Sequence, residues 1–492
     1  MRTWVLLLIT ALFLAGCTLA PKYERAPGEV PGEYRFQSLK GQPQPQLETL
    51  ANLSWWEIFD DPALQGLIRT ALAQNYDVRL AVARVAEARA AVGVSRSTWL
   101  PQVGGTALYQ REKLSRTSVE PPLPPGTKVT DSLAQFNFDL FWEIDLFGRL
   151  RSLTAAAKAD FFASRWGQRA VWATVVADVS RAYFELRTLD RQLEISQATL
   201  KSYQSSRRLV ELRHQQGMVS KQDVAQVDAL VHTAGAKIPD LERQIAQKEN
   251  EICILLGLNP QPINRGKPLP ELAVRAQVPA GLPSSLLERR PDIRQSEEVL
   301  IAANYRIGAA RANFFPRIIL TGLAGTQSVD LARLFTGPSS IWSIGPTLTL
   351  PFFTSGFNFY TLKATQSQQE QALILYQFTV RQAFREVSDG LIAHTKFRDF
   401  RREQEALVGS YQLYSRLANM RYKGGIDSYL AVLDADRQLF TAELDLATVQ
   451  RDQLLTLVQL YKALGGGWEA QARTPEAAPP VSRPAKTAGK KD

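Results

Sequence analysis

The 492-residue chain reads as an α+β membrane protein duplicated within itself. Three features predict this. Long segments carry apolar residues at a 3.5-residue period. Short segments of about ten residues alternate apolar with small or polar side chains, as in membrane barrels. The same order of elements appears twice, offset by 208 to 215 residues.

The first element is a processing signal. Arg2 precedes the apolar run Trp4–Ala15, followed by Gly16-Cys17. Twelve apolar residues are too few for a spanning helix, which needs about 20, but they suit a secretory h-region. The ending resembles a bacterial lipobox. Residues 1–16 are then a signal peptide, Cys17 takes lipid on its sulfur, and residues 17–61 form an N-terminal lipid-anchored segment. Thr18, where inner-membrane lipoproteins resemble one another in an Asp, points to the outer membrane.

The first repeat spans 62–257. Residues 62–98 have helical periodicity (Leu64, Leu67, Ile68, Leu72, then an Ala-rich run) and Pro101 stops them. Strands follow at 102–111 and from Phe136 to Asp145, joined by a polar loop. In the second, Phe136, Phe138, Leu140, Trp142 and Ile144 share one face. A helix is expected over 155–216, with Val175, Val179, Ala182, Leu186, Leu189, Leu193, Ser196, Leu200 and Tyr203 in steps of four and three. That period argues for left-handed coiled packing. Gly217 breaks it and a return helix runs to Gly257.

Residues 258–285, rich in Pro and Gly, connect to the second repeat, 286–469. There Asp292-Ile293-Arg294 matches Asp77-Val78-Arg79, and Phe314-Phe315-Pro316 matches Trp99-Leu100-Pro101. Strands are expected at 317–326 and Trp342–Leu350, where Pro346 lacks a ladder donor. A helix reaches Gly424-Gly425 and returns with Leu430, Leu433, Arg437, Phe440, Leu444, Ala447, Arg451, Leu454 and Val458. Residues 470–492 are Ala, Pro and Lys rich, which reads as a disordered tail.

Four strands cannot close a barrel, whose smallest closed forms have about eight. Open edges in lipid leave backbone groups unpaired at several kcal/mol each. Strands that face lipid therefore require several chains around a rotation axis.

Composition removes other classes. The net charge of +10 is spread along the chain, so no basic block marks nucleic acid. Cys17 and Cys253, with His214, His232 and His394, support neither a disulfide scaffold nor a metal cluster. Cys253, in Ile252-Cys253-Ile254, reads as a small buried hydrophobe. No phosphate-binding loop, nucleophile elbow or metalloprotease motif is present, so no enzyme and no cofactor is expected.

The two helix breaks are the candidate site. Gly217-Met218-Val219-Ser220 and Gly424-Gly425-Ile426-Asp427-Ser428 are expected to lie together, with Gly making the reversal and Ser capping the return. Past the second, Leu430 and Asp434 share a helix face, with Arg437 three residues on. Repeated around an axis, they would make one hydrophobic and one charged ring.

The motifs Trp55-Trp56, Asp61-Pro62, Trp142 to Gly148, Leu286 to Ile293, Ala302-Ala303-Asn304, Ile307-Gly308, Ala310-Arg311 and Arg421 to Arg437 together resemble the TolC-type outer-membrane factor family, in its OprM-like lipoprotein branch. The resemblance covers Cys17 to Trp468. It implies a homotrimer with a twelve-stranded outer-membrane barrel, four strands per chain, continuous with a periplasmic helical barrel. It implies a passive exit duct, joined by a periplasmic adaptor to an inner-membrane pump of the RND type and seated among outer-membrane lipids. It also implies a gate at Leu430, Asp434 and Arg437, and adaptor docking at the two tips. Two other readings share parts of this logic: the outer-membrane component of a type I protein secretion system, and a lipid-anchored periplasmic coiled-coil scaffold without a pore.

Overall fold

In the computed structural model, described residues are 19–25, 31, 35, 58, 60–115, 124, 126, 129–272, 283–466 and 468. Cys17, Trp55-Trp56 and the tail 470–492 lie outside them.

The repeat is visible in the elements. The first copy runs α1 (Pro62–Gln74), α2 (Tyr76–Ser97), β1 (Gln102–Lys113), β2 (Thr130–Ile144), α3 (Arg149–Gln215) and α4 (Lys221–Leu256). The second runs α5 (Pro283–Arg289), α6 (Pro291–Ala312), β3 (Arg317–Ser328), β4 (Ser340–Thr349), α7 (Phe357–Lys423) and α8 (Tyr429–Ala463). The two long helices, α3 and α7, have 67 residues each, roughly 100 Å at about 1.5 Å per residue.

The single helix expected over 62–98 is two helices. Asn75 breaks it, with an extended ψ of 136°. Its Oδ1 accepts from the N–H of Asp77 at 2.8 Å and Val78 at 3.1 Å, and its Nδ2 donates to the Leu255 carbonyl at 2.8 Å. An Asn that caps a new helix outcompetes continuing periodicity. At the matching position of the second repeat Arg290 reproduces only the donation, to the Ala463 carbonyl at 3.2 Å. Beneath each break sits a glycine in the left-handed region, Gly257 (φ 74°) and Gly465 (φ 79°). A Cβ on Gly257 would collide with the Gln74 carbonyl, so both glycines are dictated by closeness as well as by φ.

The chain divides into two compact units that cut across the repeats: residues 1–30, 80–168 and 291–382, and residues 31–79, 169–290 and 383–492. The first holds the sheet, a four-stranded antiparallel meander in the order β1-β2-β3-β4. Its register puts Val103, Leu140, Gly322 and Ile344 in one row and Gly105, Phe138, Ala324 and Trp342 in the next. This is the apolar face that the alternation predicted. The other face is mostly small or polar, with rows such as Thr106, Asn137, Gly325 and Ile341. There Asp139 accepts from Thr106 Oγ1 at 2.9 Å and Asn137 Nδ2 at 2.7 Å. A Cβ on Gly325 would strike the Phe136 carbonyl. Pro346 lies in β4, which has a partner on one side only, the place where a sheet tolerates proline. Aromatic side chains crowd the helix-proximal end of the sheet. Phe147 stacks on Phe315 at 4.7 Å, and Trp142 Nε1 donates to the Trp99 carbonyl at 2.9 Å.

In the same unit, residues 19–25 lie along α6. Arg25 pairs with the buried Glu297 at 2.7 Å, Asn304 donates to the Pro21 carbonyl at 2.6 Å, and Arg311 donates to the Leu19 carbonyl at 3.3 Å. Gly308 leaves room for Ala20, whose Cα would stand 2.7 Å from any added Cβ. The Asn304, Gly308 and Arg311 of the sequence motifs thus form a groove for the extended N-terminal segment.

The second unit is helical. Asp61 is 1% exposed and accepts from the Ala63 N–H (2.9 Å), the Tyr183 hydroxyl (2.7 Å) and the Lys267 N–H (3.2 Å). Gly266 donates to that same hydroxyl at 2.9 Å. A buried carboxylate satisfied three times holds the start of α1, the middle of α3 and the connector together. On α3 six of the nine predicted stripe positions, Val175, Val179, Ala182, Leu186, Ser196 and Tyr203, are buried and Leu189, Leu193 and Leu200 half-buried, while Val176, Tyr183, Phe184 and Thr188 off the stripe are buried as well. On α8 it is not one seam. Leu433, Ala447, Leu454 and Val458 are buried, but so are Tyr429, Val432 and Ala435, while Leu430 and Arg437 are exposed. A helix that packs against neighbours on both flanks buries more than one 3.5-residue stripe. Cys253 is fully buried, and its Sγ sits 3.3 Å from the Gln261 carbonyl.

Candidate functional site

The two helix reversals come together in the second unit. α3 ends with Gly217 at φ 72°. Its N–H bonds to the His214 carbonyl at 2.9 Å, and the Met218 N–H bonds to the Arg213 carbonyl at 2.9 Å. α7 ends with Gly425 at φ 71°, bonded to the Tyr422 carbonyl at 3.1 Å, with Ile426 bonded to that of Arg421 at 3.0 Å. Both are the same left-handed helix stop, two crossed backbone bonds around a glycine.

The restarts differ. Ser220 and Asp223 form a reciprocal capping box, which satisfies two otherwise orphaned donors. Ser428 stands at the equivalent position but makes no side-chain cap bond, contrary to the expectation that both serines cap. Asp427 replaces it. Its carboxylate accepts from the Ser428 N–H at 2.9 Å and from Arg421 Nε at 3.1 Å. These two bonds, the backbone one first, hold its carboxyl below the usual carboxylate range.

Beneath the reversals Val210, Val227, Tyr422, Tyr429, Val432, Leu433 and Ala435 pack into one cluster. Arg213 ties the two turns. Its guanidinium lies 4.4 Å from the centre of the Tyr422 ring, a cation–π contact, and donates to the Tyr422 and Lys423 carbonyls at 3.3 and 3.4 Å. His214 Nδ1 meets the Val219 carbonyl at 2.9 Å. Neither residue stood out in the sequence, although both lie in the last turn of a helix, where side chains can meet free carbonyls. Outside the cluster, Met218 and Ile426 are 70% and 69% exposed at equivalent positions.

Leu430, Asp434 and Arg437 lie one turn into α8. Leu430 is 62% exposed. Arg437 Nη2 meets Asp434 Oδ1 at 3.1 Å, with both side chains largely in water. Within one chain this is a surface pair worth under about 1 kcal/mol. Behind it Asp436 turns inward, accepting from Ser415 Oγ at 2.5 Å. Burial pushes its carboxyl up, partly offset by that bond. The Tyr203 hydroxyl donates to its backbone carbonyl at 3.1 Å.

Residues 67–258 and 282–466 match the profile of the family described as outer membrane efflux protein. The chain belongs to that family. The solvent efflux pump outer membrane protein SrpC of Pseudomonas putida is 39% identical over 459 residues, 93% of this chain and 97% of the relative. The probable outer membrane lipoprotein SilC of Salmonella typhimurium is 33% identical over 466 residues, 94% of this chain and 98% of the relative. The open-state MtrE outer membrane channel of Neisseria gonorrhoeae superimposes with a TM-score of 0.82 at 32% identity, over 92% of this chain and 99% of that one. The chain is therefore an outer-membrane efflux duct with the channel fold of that family, and not an enzyme.

Proposed function

We propose that three copies of this chain close a twelve-stranded barrel and form the exit duct of a tripartite efflux system. The observation that carries it is the sheet: four strands with a continuous apolar face and two unpaired edges, β1 and β4. An apolar face suits hydrocarbon, and unpaired edges there are costly unless another copy pairs with them. The duct takes substrate from an RND-type inner-membrane pump through a periplasmic adaptor. The adaptor docks at Gly217–Ser220 and Gly424–Ser428, where Met218 and Ile426 offer apolar contacts. Leu430 forms a hydrophobic constriction and the Asp434–Arg437 pairs a charged one, so the duct rests narrowed at this level. Cys17 carries the lipid. Leu19, two residues or about 7 Å of chain away at most, is held at the last turn of α6, shortly before β3.

Purified protein reconstituted in planar bilayers should run as an SDS-resistant trimer and give discrete single-channel currents. A monomer without currents would leave the non-pore scaffold reading in place. A protein-secretion duct would use the same fold; relatives named as solvent-efflux components support small-molecule efflux instead.

A further inference from the structure

We infer that Phe352 and Phe353 of one copy plug an apolar cavity beneath β1 of the next copy. The inference rests on the trimeric-barrel reading and names a contact outside the barrel strands that locks it.

The cavity measures about 470 Å³ and lies under the start of β1, lined by Ala91, Val94, Thr98, Leu100, Phe141 and Leu153 among others. Most of its polar groups are engaged, the Gln102 amide at its edge apart. Glu143 and Arg149 bond to each other at 2.8 and 2.6 Å. The Ser95 hydroxyl lies 2.9 Å from that of Thr154, and Thr98 donates to the Ser95 carbonyl at 2.8 Å. A polar ligand finds few free partners there, whereas an aromatic ring needs none.

Topology identifies the occupant. The sheet is an antiparallel meander, so β1 and β4 run in opposite directions. A β4–β1 junction between copies is therefore antiparallel too. Gln102 starts β1 and Thr349 ends β4, both at the end of the sheet next to the helices. At about 3.3 Å per residue, residues 350–353 of one copy then descend past residues 98–101 of its neighbour, to the mouth of the cavity. Phe352 and Phe353 stand there 93% and 87% exposed. An adjacent pair of phenylalanines that bare is a contact awaiting a partner.

The test is disulfide mapping in the full-length lipoprotein, in a Cys253→Ala background. Thr98→Cys is combined with Phe352→Cys or with Phe353→Cys, and each single variant serves as a control. Mild oxidation should give covalent trimers that survive boiling without reductant for at least one pair, and none for the singles. A wild-type trimer with no cross-chain disulfide in either pair overturns the cavity contact alone. A wild-type monomer overturns the barrel reading beneath it. The Phe352→Ser/Phe353→Ser double variant supplies a second readout: its trimer should dissociate in SDS at a lower temperature than wild type. An unchanged dissociation temperature would mean that the pair faces lipid instead, and would end the inference.

Discussion

The two helix reversals are copies of one design whose stops are kept and whose return helices have diverged. Their stops are superimposable in logic: a left-handed glycine, Gly217 or Gly425, and the same crossed backbone bonds. Offset by 208, two inward positions persist, with Val224 matching Val432 and Asp228 matching Asp436, while buried Ala435 stands where the first repeat has Val227 and buried Tyr429 where it has Lys221. The outward positions do not. Leu430, Asp434 and Arg437 stand where the first repeat has Gln222, Gln226 and Ala229. Packing restrains the inner face, because a change there costs a cavity or an unsatisfied group unless its neighbours change with it. The outer face carries no such cost, and it is where one repeat alone carries an exposed leucine and an Asp–Arg pair.

The stops are alike, so breaking either should do similar damage. Gly217→Leu and Gly425→Leu each force a branched side chain into positive φ, a strain of about 1–2 kcal/mol, with open space around it. Each should abolish efflux, read as substrate accumulation in cells, while trimers still form. Export at the wild-type level from either variant would remove docking from that tip.

The second perturbation separates the repeats. Asp434→Ala or Arg437→Ala should raise single-channel conductance, whereas Gln226→Ala should leave it unchanged. Each broken pair costs under about 1 kcal/mol per chain, so stability should barely move. Equal conductance in all three variants would refute the gate.

A third contrast concerns the caps. Ser220→Ala removes a capping box and should cost about 1 kcal/mol in thermal unfolding of the purified protein. Ser428→Ala removes no side-chain bond and should be close to neutral. A reversed order would mean that the restarts are not as described.

The smallest effect has opposite signs in two neighbouring carboxylates. Asp427 has a depressed pKa, so its contribution is present above the unfolded value of about 4 and fades as pH falls through the lower folded value. Asp436 has a raised pKa, so its contribution is present below about pH 4 and is lost as pH rises through the folded value. At neutral pH, Asp427→Asn should therefore lower the unfolding midpoint and Asp436→Asn should raise it. Both differences should shrink in acid.

Much of this was legible from residue patterns. Period, alternation and self-similarity yielded the repeat, both long helices, four strands and the glycine turns. α3 nonetheless starts six residues before the expected boundary, at Arg149. There Asp145 accepts from the Leu150 and Arg151 N–H groups, a cap that apolar periodicity does not register. The break at Asn75 was hidden because apolar spacing continues through it, and the local cap is completed by a bond to Leu255, 180 residues away. Arg213 was illegible for the same reason, and Asp61 stood out only within its motif with Pro62: their distant partners are brought by the fold, not by the neighbouring sequence. Leu430, Asp434 and Arg437 could be seen as one helix face, but what they face depends on copies of the chain.

The groove on α6 has a consequence for biogenesis. Leu19 and Arg311 are 292 positions apart, and Arg25 and Glu297 are 272 apart. The leading stretch can settle only after most of the polypeptide has emerged and its second half has folded. With the lipidation proposed at Cys17, acquiring an acyl chain and being seated would be separate events in time, and a newly made molecule would pass through a stage in which it is tethered to a bilayer but its front end is still unstitched.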